Sequence, residues 1–204
     1  MKTLKITLFV IAVIVLAGVA MFGYYGGFHK VRFETATVGG DTLVYREMTG
    51  DYSLSGETMA EVYNVLKEDF NVQNAKKFGI YFDNPAKVAK EKLRYEAGCI
   101  ISGADTAQLS AIGAKYLVRV LPVHEAVVSE FPYKGKASVI VSIMKVYPAL
   151  TRWFEQNNMM DRFGPVMEIY DAPAGKIFYR VELLDAADTT AAPAPGTPDA
   201  PAAK

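Results

Sequence analysis

The chain has 204 residues, 51% of them hydrophobic, and its 22 lysines and arginines balance 22 acids. That length holds one domain of ordinary size and leaves no room for a second. Lys2 and Lys5 lie in a leader without an acid, so the rest of the chain is slightly acidic. This argues against a nucleic-acid binder, which needs a basic surface to displace counterions from phosphates. Cys99 is the single cysteine, and His29 and His124 lie far apart. A disulfide framework, a zinc site on paired cysteines and Cys-His catalysis are therefore not expected, and neither is a metal or cofactor.

From Ile6 to Phe28 the sequence carries no charge. About 20 mostly apolar residues suffice to cross the hydrocarbon of a bilayer. Leu8 to Leu16 is uniformly apolar, and Tyr24, Tyr25 and Phe28 follow where an interfacial aromatic belt would sit. The expectation is a retained single-pass anchor over residues 1–29, in contact with lipid through residues 6–28. The alternative is a signal peptide cleaved after the small residues Gly18-Val19-Ala20. Lys2 and Lys5 favour a cytoplasmic N-terminus, and Lys30 and Arg32 oppose it.

Residues 30–184 read as the folded domain, organised by a weak internal repeat. Ile80-Tyr81-Phe82-Asp83-Asn84-Pro85 parallels Glu168-Ile169-Tyr170-Asp171-Ala172-Pro173, each an apolar strand stopped by Asp-x-Pro turn chemistry. Upstream, Thr42 to Met48 and Glu125 to Phe131 read as strands, and each precedes a helix. The first helix covers Glu57 to Phe70 with Ser55 as candidate N-cap. The second covers Ala137 to Asn157, with Ile140, Ile143, Met144, Tyr147, Leu150 and Phe154 on one broad apolar face. Pro148 inside it predicts a kink or restart. After each turn comes a further strand, Arg94 to Ser102 and Lys176 to Leu184. Between the copies, Ala107 to Ala114 reads as a short helix and Tyr116 to Leu121 as a strand. The fold class is α+β: a strand-helix-strand-strand unit present twice, forming one antiparallel sheet with both helices on one face and a ligand groove on the other. Residues 185–204 form an Ala/Pro-rich tail with no aromatic or bulky aliphatic residue, expected to be disordered.

Glu168 is the outstanding candidate. It interrupts an apolar strand where its counterpart in the first copy reads as Ile80. Strand alternation puts Val166, Glu168 and Tyr170 on one face and Met167 and Ile169 on the other. If the latter two meet the helices, Glu168 lines the open face. A half-buried carboxylate either meets a cation or holds its proton more tightly, and both suit a binding or catalytic site. An intramolecular partner such as Arg180 would instead make it structural. Aromatics near the repeat elements would wall such a site: Tyr81, Phe82, Phe131, Tyr147, Trp153 and Tyr170. Flat or cationic apolar ligands suit walls of this kind.

Five runs taken together resemble the GyrI-like small-molecule-binding domain family, which is also the effector-binding domain of bacterial multidrug-sensing regulators. They are Gly79 to Pro85, Leu93 to Cys99, Phe131-Pro132-Tyr133, Val146 to Leu150 and Met167 to Tyr170. The leader points to a membrane-anchored branch that includes an animal testis-expressed ER-phagy receptor. The resemblance implies a duplicated fold and an acidic residue at Glu168 facing the ligand groove. It does not carry over the receptor's autophagy role, because the tail here lacks the aromatic-x-x-aliphatic motif. No DNA-binding segment reads ahead of the domain either, so a transcription-factor role is not expected. Some members are hydrolases of electrophilic small molecules that use a glutamate and an aromatic. The expectations are thus a membrane-anchored module binding a small apolar or cationic molecule, a hydrolase in which Glu168 is catalytic, or a membrane-tethered protein adaptor. The protein partner, oligomeric state and membrane side are left open by the sequence.

Overall fold

A computed structural model describes residues 2–185. The expected tail falls outside the described residues, save Asp185. The chain opens with α1 (Lys2–Tyr24), followed by β1 (Glu34–Val38) and β2 (Thr42–Thr49). Next come α2 (Ser55–Glu68), β3 (Lys76–Tyr81) and β4 (Arg94–Ile101). After α3 (Thr106–Gly113) and β5 (Leu117–Val120), the second half supplies β6 (His124–Pro132), α4 (Lys136–Gln156), β7 (Phe163–Asp171) and β8 (Lys176–Leu183). The strand-helix-strand-strand unit therefore occurs twice.

All eight strands join one antiparallel sheet in the order β1-β6-β8-β7-β3-β4-β2-β5. The two halves meet at the β7–β3 pair. Each edge strand belongs to the other half. β1 precedes the first unit but pairs with β6, and β5 precedes the second unit but pairs with β2. The two connections cross where Gly40 N–H donates to Leu121 O and Leu121 N–H donates to Asp41 O. β1 has no counterpart in the expectation, because Glu34-Thr-Ala-Thr-Val38 is short and only half apolar. Its pairing with β6 supplies what its composition does not.

Both main helices cover one face. Val62 and Leu66 of α2 pack with Val44, Cys99 and Ile101. Val146, Leu150 and Phe154 of α4 pack with Val127, Val166, Tyr179 and Val181. On the helix-free face Leu43, Tyr45, Phe78, Ile80, Ile100, Met167 and Ile169 form a separate buried cluster. Burial there is completed by long polar arms, the Arg119 guanidinium lying 4.7 Å from the centre of the Tyr45 ring.

Two local expectations are corrected, and of the kink or restart expected at Pro148 the restart does not occur, α4 continuing through it as one helix. Its broad apolar face also divides. Leu150 and Phe154 are buried, while Ile140, Ile143 and Met144 are exposed, Met144 to 68%. The core stripe is instead Ser138, Ser142, Val146, Leu150 and Phe154, which admits two serines because each hydroxyl donates to a carbonyl three residues back. Ser55 is not the N-cap of α2. A short 3-10 turn, Tyr52–Leu54, precedes that helix and is capped by Asp51, whose carboxylate accepts from Ser53 N–H. Hydrogen bonds from Lys90 and Ser53 hold the Asp51 pKa down at about 2.

Candidate functional site

Glu168 is 2% exposed and sits in the central strand pair. Reading across the sheet, Ser129, Tyr179, Glu168, Gly79 and Ala97 form one row on adjacent strands. Tyr179 packs with α4 residues, and a Cβ on Gly79 would come within 2.9 Å of the terminal methyl of Met59 on α2. The row therefore faces the helices. This reverses the expected side: Glu168 and Tyr170 look toward the helices, and Met167 and Ile169 belong to the helix-free cluster. Strand alternation separates two faces but carries no label for which one the helices cover. Across the β3–β7 pair Gly79 stands opposite Glu168, and Ile80, its expected counterpart in the repeat, points to the other face.

The carboxylate accepts from two phenols. Tyr147 Oη of α4 donates to one oxygen at 2.6 Å, and Tyr170 Oη, two residues along the same strand, donates to the other. No salt bridge to Glu168 is present among the described residues. Arg180 lies away from it and pairs with Asp41. A buried acid that does meet a guanidinium is Glu96, held by Arg119 Nη1 and Nη2 at 2.8 and 2.6 Å. Burial pushes the Glu168 pKa up, and the two phenols pull it part of the way back. The Tyr147 and Tyr170 pKa values are driven well up, by burial first and by the neighbouring carboxylate next, so both remain donors.

The first half contributes an aromatic box beside this pair. Met59, Tyr95 and Ala97 are buried together, with Tyr52, Tyr81 and Tyr170 packed against them. Tyr52 meets Tyr81 at 4.8 Å and Tyr95 at 5.4 Å between ring centres. Ser55, released from capping, lies 3.0 Å from Tyr81 Oη. From the second half, Tyr179 packs edge-on against Tyr147 at 6.1 Å and donates to Ser142 at 2.6 Å. The exposed residues Ile140, Ile143 and Met144 stand one and two turns before Tyr147 on α4, so an apolar strip leads to the hydroxyl that holds Glu168.

Of the residues expected in the site, Glu168, Tyr170, Tyr147 and Tyr81 come together. Three others are placed elsewhere. Phe82 is 40% exposed, because alternation turns it away from Tyr81. Phe131 lies in the core of the second half with its ring 5.2 Å from that of His29. Trp153 packs against that core beside Phe33 and Phe154. Tyr95, Tyr179 and the small residues Gly79 and Ala97 also border the site, though none was expected there. The signal for the last two is a gap in side-chain size at the centre of strands that are otherwise bulky.

A separate cavity of about 230 Å³ opens on the helix-free face, lined by Asp41, Lys76, Asp171, Phe178 and Arg180 among others. Its charges are already matched, Arg180 with Asp41 and Lys76 with Asp171. Among the described residues no cluster of three metal-ligating side chains occurs.

Comparison with known proteins agrees with this architecture. Testis-expressed protein 264 homolog of Mus musculus is 25% identical over 136 residues, covering 63% of this chain and 41% of that protein. The chain thus spans about two fifths of that relative's length. Among solved structures, an EcmrR–DNA complex shares the fold with a TM-score of 0.52 at 13% identity, over 83% of this chain and 65% of that one. SAV2435 bound to tetraphenylphosphonium aligns with a TM-score of 0.48 at 16% identity, over 75% of this chain and 94% of that one. The GyrI-like small molecule binding domain matches residues 37–181, most of the described fold, and the chain belongs to that family.

Proposed function

We propose that this protein is a membrane-anchored receptor for a small hydrophobic cation, taken up between α2 and α4 with Glu168 as its counter-charge. The observation that carries this is a carboxylate 2% exposed, held by two neutral phenols and, among the described residues, by no cation. An ionised group in such surroundings is stabilised by any positive charge that can reach it. Tyr52, Tyr81, Tyr95 and Tyr170 supply ring faces for a cation or a flat apolar body. The lack of a side chain at Gly79 lets Tyr81 and Met59 close in beside the carboxylate. The anchor would be α1, whose residues Thr3–Tyr24 are long and apolar enough to cross a bilayer and are not buried in the fold.

Titration of the full chain in nonionic detergent with tetraphenylphosphonium tests the reading. The cation should raise the melting temperature in a concentration-dependent way. Glu168→Gln should abolish the rise while keeping the fold, and an equal rise in the variant removes Glu168 from the site.

A second reading rests on the same carboxylate. Burial makes the carboxylate a stronger base, as taking a proton from water needs, and the two phenols beside it are donors that could bond an oxygen of an electrophile. Turnover of an epoxide or other electrophile panel, lost in Glu168→Gln, would favour this hydrolase reading over simple binding.

A further inference from the structure

The segment leaving α1 is clamped onto the domain. Gly26 adopts φ +93° and presses on Phe131, where a Cβ would come within 2.7 Å of the ring. Lys145 Nζ of α4 donates to the carbonyls of Gly27 and His29, the latter at 2.7 Å. The His29 ring lies edge-on to Phe131, and its Nε2 is 3.2 Å from Glu130 O. Val31 and Phe33 continue into the second-half core. The domain therefore has a fixed attitude to the end of α1, with no free linker between them.

That attitude gathers positive charge at one level. Lys134 Nζ stands 4.1 Å from the centre of the Tyr24 ring, beside the last turn of α1. Lys30, Arg32, Lys134 and Lys136 are exposed, and none pairs with a carboxylate among the described residues. Elsewhere on the surface, Arg46, Lys76, Lys90, Arg94, Lys115 and Lys176 have acidic partners, while Lys67, Lys87, Lys92 and Arg152 are exposed without one among the described residues. A cavity of about 330 Å³ lies in this region, lined by His29, Lys30, Arg32 and Glu130. Glu130 does not spoil it for an anion, because its carboxylate is taken by Lys176 at 2.6 Å.

We infer that His29, Lys30 and Arg32 form a seat for the phosphate of an anionic phospholipid headgroup at the foot of the domain, with Lys134 adding positive charge beside the last turn of α1. The inference rests on α1 spanning a bilayer. A phosphodiester at headgroup depth would meet cationic side chains on a fixed backbone, and each lysine or arginine near such a surface adds attraction that salt screens.

The full chain is reconstituted into phosphatidylcholine vesicles and into vesicles of four parts phosphatidylcholine to one part phosphatidylglycerol. Amide hydrogen exchange is then followed over residues 26–33. Exchange should slow severalfold in the anionic vesicles relative to the neutral ones. The difference should disappear in K30Q/R32Q/K134Q, whose substitutions are all at exposed positions, and glycerol phosphate in solution should not reproduce it. Equal exchange in both lipids, a difference that survives in the triple variant, or full protection by soluble glycerol phosphate overturns the lipid seat. A chain that fails to float with either vesicle overturns the anchor itself, a result separable from equal exchange in floated protein.

Discussion

Gly79 stands directly across the central strand pair from Glu168, so no side chain on the first-half strand projects directly opposite the carboxylate. A Cβ there would come within 2.8 Å of Tyr81 Oη and 2.9 Å of the Met59 methyl. The glycine is thus part of the site, as the space in which the aromatic box approaches the charge.

Gly79→Ala should displace Tyr81 and Met59, since both contacts fall below ordinary van der Waals distance. Overpacking of this kind costs about 1–3 kcal/mol. The expected outcome is a lower unfolding midpoint together with weaker binding of tetraphenylphosphonium. Unaltered binding in a folded variant would show that the ligand does not use this space.

The pH dependence follows from the sign of the Glu168 shift. Its folded pKa lies above the ordinary glutamate value, so the native state holds the proton more tightly than the unfolded chain. Stability should therefore fall as pH rises from the ordinary glutamate range through the folded pKa, then level off. Glu168→Gln should lose that slope. Denaturant midpoints at several pH values measure this.

Cation binding should run the opposite way with pH. A bound positive charge lowers the Glu168 pKa, so binding releases a proton wherever the carboxyl is partly protonated. Affinity should rise with pH and reach a plateau above the folded pKa. Calorimetry in two buffers of different ionisation enthalpy reads the released proton directly. At the plateau, Glu168→Gln should weaken binding about thirtyfold or more, the loss expected when a buried charge is deprived of its partner.

Tyr147→Phe removes the 2.6 Å donor and leaves Glu168 with Tyr170 alone. An unsatisfied buried acceptor costs about 1–3 kcal/mol. The Glu168 pKa should rise further, because a hydrogen bond that lowers it is gone. The expected signature is a shift of the binding–pH midpoint to higher pH, with affinity at high pH largely retained.

Lys145→Met should unfasten the segment after α1, since its ammonium holds the Gly27 and His29 carbonyls. Charge-assisted bonds of this kind contribute about 1.5–3 kcal/mol each. Cleavage within residues 25–33 by a broad protease should accelerate, while the rest of the domain resists as before.

The sequence by itself determined the apolar leader, the doubled strand-helix-strand-strand unit and the prominence of Glu168. These are written in local terms: an uncharged run, matching turn chemistry at Asp83-Asn84-Pro85 and Asp171-Ala172-Pro173, and one acid in a greasy strand. Tertiary structure alone decided which face Glu168 occupies, because a two-residue period is symmetric between faces until a helix covers one of them. It decided that Glu96, and not Glu168, receives a guanidinium, since Arg119 reaches Glu96 only through the pairing of β5 with β2 and of β2 with β4. It also sorted the aromatics, bringing Tyr81, Tyr147 and Tyr170 to the carboxylate, sending Phe131 into the second-half core with Trp153 packed against it, and leaving Phe82 exposed. Composition gives every aromatic the same reason to be buried. Only the register of neighbouring strands and the turn of α4 bring three particular phenols to one charge.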